Sequence, residues 1–242
     1  MKILVLGDFI WDNYIFYNAT RICPEAPCPV MVYDREERRP GGAALVAENL
    51  RSLGGNEIYS WYGSVSDKTR HVVDRSIICR VDRDSHDVQL PRMAYEFLKY
   101  CPRPDAITVS DYGKGAITKE IVDQIQSDFR VPIFIDAKKN GSLWTGACAS
   151  FPNEHEDAPP TLHVIRKLGP RGCEVDGVPV PCTPRQVYDV TGAGDVFMAA
   201  FVWDYLKNED MMHAAMVAND AAGVSVEHFG TYVVRPGELH GA

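Results

Sequence analysis

The sequence lacks several motifs that would place it in common functional classes. Its seven cysteines include no C-x-x-C pair, so neither a zinc site nor a disulfide framework is indicated. The histidines are scattered, with neither H-E-x-x-H nor triad spacing. There is also no G-x-x-x-x-G-K-[ST], and this absence excludes a P-loop kinase.

Clustered basic charge is absent as well. The chain has 25 Lys and Arg against 33 Asp and Glu, which gives a net charge of −8, and acids interrupt its one basic cluster, "DREERRP". Proteins that bind nucleic acids neutralise the phosphate backbone with grouped Lys and Arg. We therefore expect no nucleic-acid partner.

Long apolar runs are also missing. No stretch approaches the roughly 20 apolar residues of a membrane span, and "MKILVLGDF" reaches an acidic residue too early for a signal peptide. We expect no membrane association and a cytoplasmic location. A chain of 242 residues, 45% of them hydrophobic, suits one α/β domain over residues 1–242.

Short apolar runs that end in polar residues predict a parallel sheet buried on both faces. They are "KILVLGD", "AITVSD", "PIFID", "ACASFPN", "TLHVIRK" and "QVYDVTG". Ligands of open α/β sheets bind beyond the carboxyl ends of the strands. We therefore expect Asp8, Asp111, Asp136, Asn153 and Asp189 to converge on one rim.

Four helical segments separate these runs, and the alternation predicts a doubly wound, mostly parallel sheet flanked by helices. The segments are "GGAALVAENLRSLGG", "TKEIVDQIQSDF" opened by Thr118, "GDVFMAAFVWDYLKN" and "EDMMHAAMVANDAAGVSVEHFG". Residues 14–40 and 69–83 instead show short alternating strands with one polar face. They predict a small β lid that projects from the main layer.

The stretch "VYDVTGAGDVF" carries the strongest chemical signal. "QVYDV" would be a strand and "GDVFMAAFVWDYL" a helix, so that Thr-Gly-Ala-Gly forms the turn between them. Backbone amides at a glycine-rich turn entering a helix bind anions, and Asp195 beside them could take a proton from a hydroxyl. This arrangement suits phosphoryl transfer. A helix-entry Asp is also a common N-terminal cap, so the stretch alone leaves both readings open.

The full pattern D-V-T-G-A-G-D-V-F resembles the signature of the ribokinase-like, or PfkB, carbohydrate kinases. "GDFIWDNY" resembles their sugar-binding strand and turn, "RRPGGAA" their Gly-Gly motif, "PNEHE" their N-x-x-E element and "GTYVVRPGEL" their carboxyl-terminal end. Within the family, "RICPEAPCPV", "SDYGKGAIT", "IDAKKNG" and "VYDVTGAGD" are most similar to heptose-7-phosphate kinases of lipopolysaccharide precursor synthesis.

The resemblance implies a ribokinase-like fold and a role for each matching residue. Asp195 would be the catalytic base, and the amides of Gly192, Ala193 and Gly194 the anion hole. The implied substrate-binding residues are Asp8, Asp12, Gly41, Gly42, Asp111 and Lys114. The implied nucleotide-binding residues are Asn153, Glu156, Lys138, Thr191 and Asn219. Glu156 would order Mg²⁺ indirectly, and Asp189 would bind a monovalent cation such as K⁺.

The sequence departs from the family pattern in two respects. Leu45 stands where the family usually has a sugar-binding Asn, and Leu cannot form a hydrogen bond. The chain is also short: a βα unit is missing between "GSVSDK" and "TRHVV", and "APP" replaces the helical stretch expected after "PNEHED". The identity of the sugar therefore stays open.

These features predict an ATP- and Mg²⁺-dependent kinase of a sugar or sugar phosphate, with a heptose-7-phosphate-like compound as the expected acceptor. Two alternatives remain: a nucleoside kinase of the same fold, and a catalytically impaired homologue that binds a sugar phosphate. Because lids in this family commonly pair across a dimer, the resemblance also implies a homodimer.

Overall fold

A computed structural model describes residues 1–84, 91–139 and 141–240, and it has the predicted α/β architecture. The ten strands are β1 (Lys2–Asn18), β2 (Val32–Gly42), β3 (Glu57–Val73), β4 (Ser76–Arg83), β5 (Ala106–Asp111), β6 (Ile133–Ala137), β7 (Ala149–Ser150), β8 (His163–Lys167), β9 (Cys173–Val175) and β10 (Val178–Val180). The helices are α1 (Ala43–Ser52), α2 (Pro91–Tyr100), α3 (Lys119–Asp128), α4 (Ala193–Asn208) and α5 (Met211–Val226).

The strands form one sheet in the order β10-β9-β8-β7-β6-β5-β1-β3-β4, with β2 also paired to β1. The central pairs from β3 through β1, β5, β6 and β7 to β8 are parallel. All six residues of β5 are buried, as a strand covered on both faces must be. The predicted parallel sheet is confirmed, and five of the six predicted runs form strands.

The prediction of a strand at "QVYDV" is wrong. Residues 183–192 form no strand; there the amides of Tyr188 and Asp189 donate to the carbonyl of Val226 at the end of α5. Val187, Tyr188 and Val190 remain about half exposed or more. Their apolar character suggested a buried strand, but these side chains stand at the surface of a loop.

Helices cover both faces of the sheet and fix its two cores. Helices α1, α4 and α5 enclose one apolar cluster and α2 and α3 the other. All four predicted helices are present, and Thr118 accepts a hydrogen bond from the amide of Ile121 as the N-terminal cap of α3. Helix α2 was not predicted, although Ala94 and Leu98 are buried at the helical i, i+4 spacing. In the described ranges, no helix is long and apolar enough to cross a membrane.

Strands β1 and β3 extend well beyond the core. The second half of β1 pairs antiparallel with β2, and the second half of β3 pairs antiparallel with β4. These segments form what we call the projecting sheet, residues 11–18, 32–40, 67–73 and 76–83. Asp8 was expected to end its strand, and that expectation is wrong, because β1 continues to Asn18.

The shortened regions contain no helix. Strand β3 runs unbroken from "GSVSDK" into "TRHVV", and residues 153–162 form turns and loop between β7 and β8. The central strand order is therefore intact, although the chain lacks the two segments that the family pattern led us to expect.

Candidate active site

The N-terminus of α4 begins at a glycine that has no room for a side chain. Gly192 has φ +78°, and a Cβ there would lie 2.5 Å from Cδ2 of Leu45. The amide of Ala193 donates to the carbonyl of Val190 at 3.3 Å, whereas the described residues provide no partner for the amides of Gly192 and Gly194. Free amides in the first turn, together with the helix dipole, favour a bound anion.

Asp195 lies in the same first turn and is buried, with 2% exposure. Its Oδ2 accepts a hydrogen bond from the hydroxyl of Tyr112 at 2.8 Å, and its Oδ1 accepts one from Oγ of Ser110 at 3.3 Å. Burial, and then the charge of Asp136, raise the pKa of Asp195 to about 6. A carboxylate with this pKa is ionised near neutral pH and can accept a proton more readily than an ordinary Asp.

Two lysines flank Asp136 at the carboxyl end of β6. Lys167, the last residue of β8, and Lys138 both donate to its carboxylate. Burial alone would raise the pKa of Asp136, but these two ammonium groups outweigh burial and hold it below its usual value. A Cβ on Gly194 would lie 3.3 Å from Nζ of Lys167, so this cation stands directly beside the start of α4.

The N-x-x-E element forms a closed turn next to these lysines. The amide and Nδ2 of Asn153 donate to Glu156 at 2.8 and 3.1 Å, and Nζ of Lys138 lies 2.8 Å from Glu156 Oε1. Burial would raise the pKa of Glu156, but these donors lower it. Among the residues that the structure describes, no three His, Cys, Asp or Glu are grouped as a metal site. The carboxylate of Glu156 is therefore already engaged by Asn153 and Lys138.

A cavity of about 720 Å³ opens beside the start of α4. Its polar lining includes Tyr112, Asp136, Lys138, Asn153, Lys167, the 192–194 turn and Asn219, while Val187, Val190, Phe197 and Val226 supply apolar surface. Asn219 is buried and donates to the carbonyl of Val180 at 2.9 Å. A pocket with charge at one end and apolar walls has the size and character of a small-molecule site.

Asp12 lies at the base of the projecting sheet, within β1, and is also buried. Its Oδ1 accepts a hydrogen bond from Nη1 of Arg70 at 2.5 Å. A Cβ on Gly41 would come within 2.2 Å of Asp12 Oδ2, so a larger residue there would displace the Asp12 carboxylate, and Gly42 follows with φ +59°. Burial raises the pKa of Asp12 even though Arg70 opposes that effect.

Asp8 is engaged by the protein itself. Its carboxylate accepts hydrogen bonds from the amides of Tyr112, Lys114 and Ala116 at 2.7, 3.2 and 3.1 Å, and from Oγ of Ser64 at 2.6 Å. The side chain therefore fixes the loop that follows β5. In this arrangement it holds the site together and does not face open space.

The remaining predicted residues serve nearby turns. Asp111 accepts from the amide of Gly113 at 2.8 Å, and the ammonium group of Lys114 pairs with Asp84. Asp189 accepts from Oγ1 and the amide of Thr191 at 2.7 and 2.9 Å and from the amide of Gly230 at 2.9 Å. Asp189 thereby joins the loop before α4 to the loop that follows α5.

The structure thus groups the predicted residues in two sets. The 192–194 turn, Lys138, Asn153 and Asn219 line the cavity, and Asp195 and Glu156 adjoin it; Asp8, Asp12, Gly41 and Gly42 lie along β1 and β2. Lys114 is turned towards Asp84.

Sequence reasoning did not assign three residues of the site: Tyr112, Lys167 and Arg70. Lys167 ends a predicted strand, so the strand-end rule that selected Asp136 also applied to it. Tyr112 stands inside the quoted motif "SDYGKG", but nothing in the pattern distinguishes its hydroxyl. No signal marks Arg70, because its partner Asp12 lies 58 residues away.

Known proteins share sequence similarity with this chain. Residues 141–236 match the model of the pfkB family carbohydrate kinases. The bifunctional protein HldE of Geobacter sulfurreducens is 31% identical over 99% of this chain, which covers 62% of that relative. The alignment extends over 306 positions, more than the 242 residues here, so the relative has segments that this chain lacks.

Solved structures show the same fold. Ribokinase from Thermotoga maritima superposes with a TM-score of 0.71 at 15% identity, covering 98% of this chain and 97% of that one. Phosphofructokinase-2 from Escherichia coli, in complex with potassium, gives a TM-score of 0.73 at 13% identity, covering 98% and 96%. The predicted ribokinase-like fold is confirmed, and residues 141–236 of this chain are similar to the pfkB family carbohydrate kinases.

Proposed function

We propose that this protein is an ATP-dependent kinase that phosphorylates a hydroxyl group of a sugar phosphate. The observation that carries the proposal is the position of Asp195: a buried carboxylate with a raised pKa lies in the first turn of α4, below free amides and beside the cavity. A base and an anion site at one helix terminus are what phosphoryl transfer needs.

In the proposed reaction, the acceptor oxygen attacks the γ-phosphorus of ATP and the bond from that phosphorus to the ADP oxygen breaks. Asp195 takes the proton of the acceptor hydroxyl. The amides of Gly192 and Gly194 and the ammonium group of Lys167 stabilise the negative charge of the transferred group. Asn219 and the apolar wall of Val187 and Val190 would hold the rest of the nucleotide.

The residues present also fit the ions that the family implies. Glu156 is paired with Lys138, which lines the cavity. Glu156 is therefore close enough to act through water on a Mg²⁺ ion bound with the nucleotide. Mg²⁺ would neutralise phosphate charge. Oδ2 of Asp189 accepts one hydrogen bond and keeps a lone pair for a monovalent cation such as K⁺. ATP would reach the protein in the cytoplasm.

Positive charge near Asp12 supports an anionic acceptor. Lys68 is the pairing partner of Asp12 across β1 and β3, and its ammonium group lies 5.3 Å from the centre of the Tyr112 ring. In the described part of the chain, Lys68 has no carboxylate within 4 Å. A phosphate on the acceptor would neutralise it, which favours a heptose-7-phosphate-like sugar over a nucleoside.

We further propose that the projecting sheet is a lid over the sugar and that its exposed apolar side chains pair in a homodimer. Val32, Tyr33, Ile77, Ile78 and Val81 are each more than 40% exposed there. A monomeric elution profile at micromolar concentration would contradict the dimer.

An ADP-release screen tests the function directly. The acceptors are heptoses, hexoses and pentoses, free and phosphorylated, together with nucleosides. Turnover of a sugar phosphate supports the proposal, turnover of nucleosides supports a nucleoside kinase, and ligand binding without turnover supports an impaired homologue. Asp195→Asn should lower kcat by about 10²–10⁴ while sparing sugar affinity. Asp123→Asn, on the exposed face of α3, is the matched control; equal ADP production by Asp195→Asn would contradict the role of Asp195.

A further inference from the structure

The hydroxyl of Tyr112 occupies the place that an acceptor hydroxyl would need. It donates to Oδ2 of Asp195 at 2.8 Å, while Ser110 donates to Oδ1. A general base must form its own hydrogen bond with the hydroxyl that it deprotonates. With both oxygens engaged and the side chain 2% exposed, Asp195 is covered by the protein itself.

The backbone of Tyr112 is fixed, so that only its side chain is left to move. Its amide donates to Oδ2 of Asp8 at 2.7 Å, and the amides of Lys114 and Ala116 hold the next turn on the same carboxylate. Uncovering Asp195 by lifting this loop would break three hydrogen bonds to a buried charge. Rotation of the Tyr112 side chain breaks only one.

The Tyr112 ring also stands between the two halves of the site. Tyr112 lines the cavity, and the ammonium group of Lys68, the strand-pairing partner of Asp12, lies 5.3 Å from the centre of its ring. The ring is therefore a wall between the proposed nucleotide site and the proposed sugar site. Any acceptor that reaches Asp195 must displace it.

We propose that Tyr112 is a positioning residue that covers Asp195 until the acceptor hydroxyl replaces its phenol, and that it thereby denies water access to the base. The inference rests on the proposed function. Without the cover, a water oxygen would attack the γ-phosphorus, the bond to ADP would break and Asp195 would take the proton of the water. The result would be ATP hydrolysis without a sugar.

The same contact has an effect on protonation. The pKa of Tyr112 is raised well above its ordinary value by burial and then by Asp195, so the phenol stays protonated and donates. Burial and the negative charges of Asp136 and Asp12 raise the pKa of Asp195. The hydrogen bond from Tyr112 stabilises the ionised carboxylate and so lowers this pKa, as does the positive charge of Lys167. Removing only the hydroxyl should therefore raise the pKa of Asp195 above about 6.

Tyr112→Phe and Tyr112→Ala test the proposal. Tyr59→Phe is the control, because among the described residues the Tyr59 hydroxyl donates only to the exposed Glu57. The first measurement is ADP release from ATP without any sugar. We expect Tyr112→Ala to increase it roughly ten-fold or more, a part of the ~10²–10⁴ that general-base catalysis supplies. The increase should vanish in Tyr112→Ala/Asp195→Asn.

The second measurement is the titration of the Asp195 carboxyl by ¹³C NMR, which needs no turnover. Its midpoint should rise in Tyr112→Phe and stay unchanged in Tyr59→Phe. Sugar-free ADP release at the wild-type level in both Tyr112 variants, or an unchanged midpoint in Tyr112→Phe, overturns the proposal. A wild-type protein that neither binds ATP nor phosphorylates any acceptor refutes the proposed function instead, and the titration still decides the role of Tyr112.

Discussion

The guanidinium group of Arg70 and the carboxylate of Asp12 form an ion pair at 2.5 Å, with side-chain exposures of only 7% and 5%. Both residues lie where the long strands β1 and β3 leave the core. Neither charge can be hydrated by bulk water, so each depends on the other. The ion pair therefore holds β1 and β3 together at the base of the projecting sheet.

Arg70→Met should destabilise the protein strongly, because it leaves the carboxylate of Asp12 buried without its cation. We expect the free energy of unfolding to fall by about 3–5 kcal/mol, measured by urea denaturation. Arg80→Met removes an exposed pair with Asp82 on the same sheet and should cost less than about 1 kcal/mol. Asp12→Asn should recover part of the loss in the Arg70→Met background; no recovery would contradict the pairing argument.

Asp136→Asn should shift the pH dependence of catalysis to lower pH. The negative charge of Asp136 helps to raise the pKa of Asp195 to about 6, so its removal should lower that pKa. The acidic limb of kcat/KM, which reports the free enzyme, should then have its midpoint below about 6. Asp176→Asn, whose carboxylate pairs with His163 outside the cavity, should leave the midpoint unchanged. A midpoint that rises in Asp136→Asn would disprove the electrostatic assignment.

Asp195→Asn should make the protein more stable near neutral pH. The pKa of Asp195 is raised from 3.8 to about 6 in the folded state, so the folded state binds this proton more tightly than the unfolded state does. Stability therefore falls as the pH rises between these two values, and the loss is complete above about 6. At pH 7, Asn should add up to about 3 kcal/mol to the free energy of unfolding.

The pH dependence distinguishes this effect from improved packing. The gain from Asp195→Asn should shrink as the pH falls from about 6 towards 3.8, because Asp195 is then protonated in the folded state and becomes progressively protonated in the unfolded state as well. Asp123→Asn, at an exposed position, should show neither the gain nor the pH dependence. A variant less stable than the wild type at pH 7 would contradict the raised pKa.

Lys68→Met should separate phosphorylated from unphosphorylated acceptors. If Lys68 binds an acceptor phosphate, its loss should raise KM for the sugar phosphate about ten-fold or more, since charge-assisted hydrogen bonds contribute ~1.5–3 kcal/mol. KM for the unphosphorylated sugar should change little. Lys99→Met, on α2, is the control. Equal changes in KM for both acceptors would contradict the proposal that Lys68 binds the acceptor phosphate.

The sequence was sufficient for the α/β fold class and for the turn that begins α4. Short apolar runs such as those of β5 and β6 are typical of strands buried on both faces of a sheet. The turn before Asp195 needs a left-handed backbone conformation at Gly192, which glycine adopts readily. The pattern failed at "QVYDV", because apolar side chains that border a cavity look like those of a buried strand. It also failed at Asp8, since no local signal shows that β1 continues into the projecting sheet.

Contacts between distant residues were beyond sequence reasoning for a different reason. Asp8 stands at a position where the family resemblance implies sugar binding, yet its oxygens accept amides more than 100 residues away. The hydroxyl of Tyr112 reaches Asp195 across 83 residues. Such pairs follow from the order of strands in the sheet, which a single sequence does not specify residue by residue.

The length of β1 has a mechanical consequence. Its 17 residues, at about 3.3 Å each, span roughly 55 Å and connect the innermost core to the far tip of the projecting sheet without a break. Strand β3 runs parallel beside it over the same distance. Because the two strands are hydrogen-bonded along this length, a second copy of the chain bound at the tip would contact the same strand that carries Asp12 and Asp8.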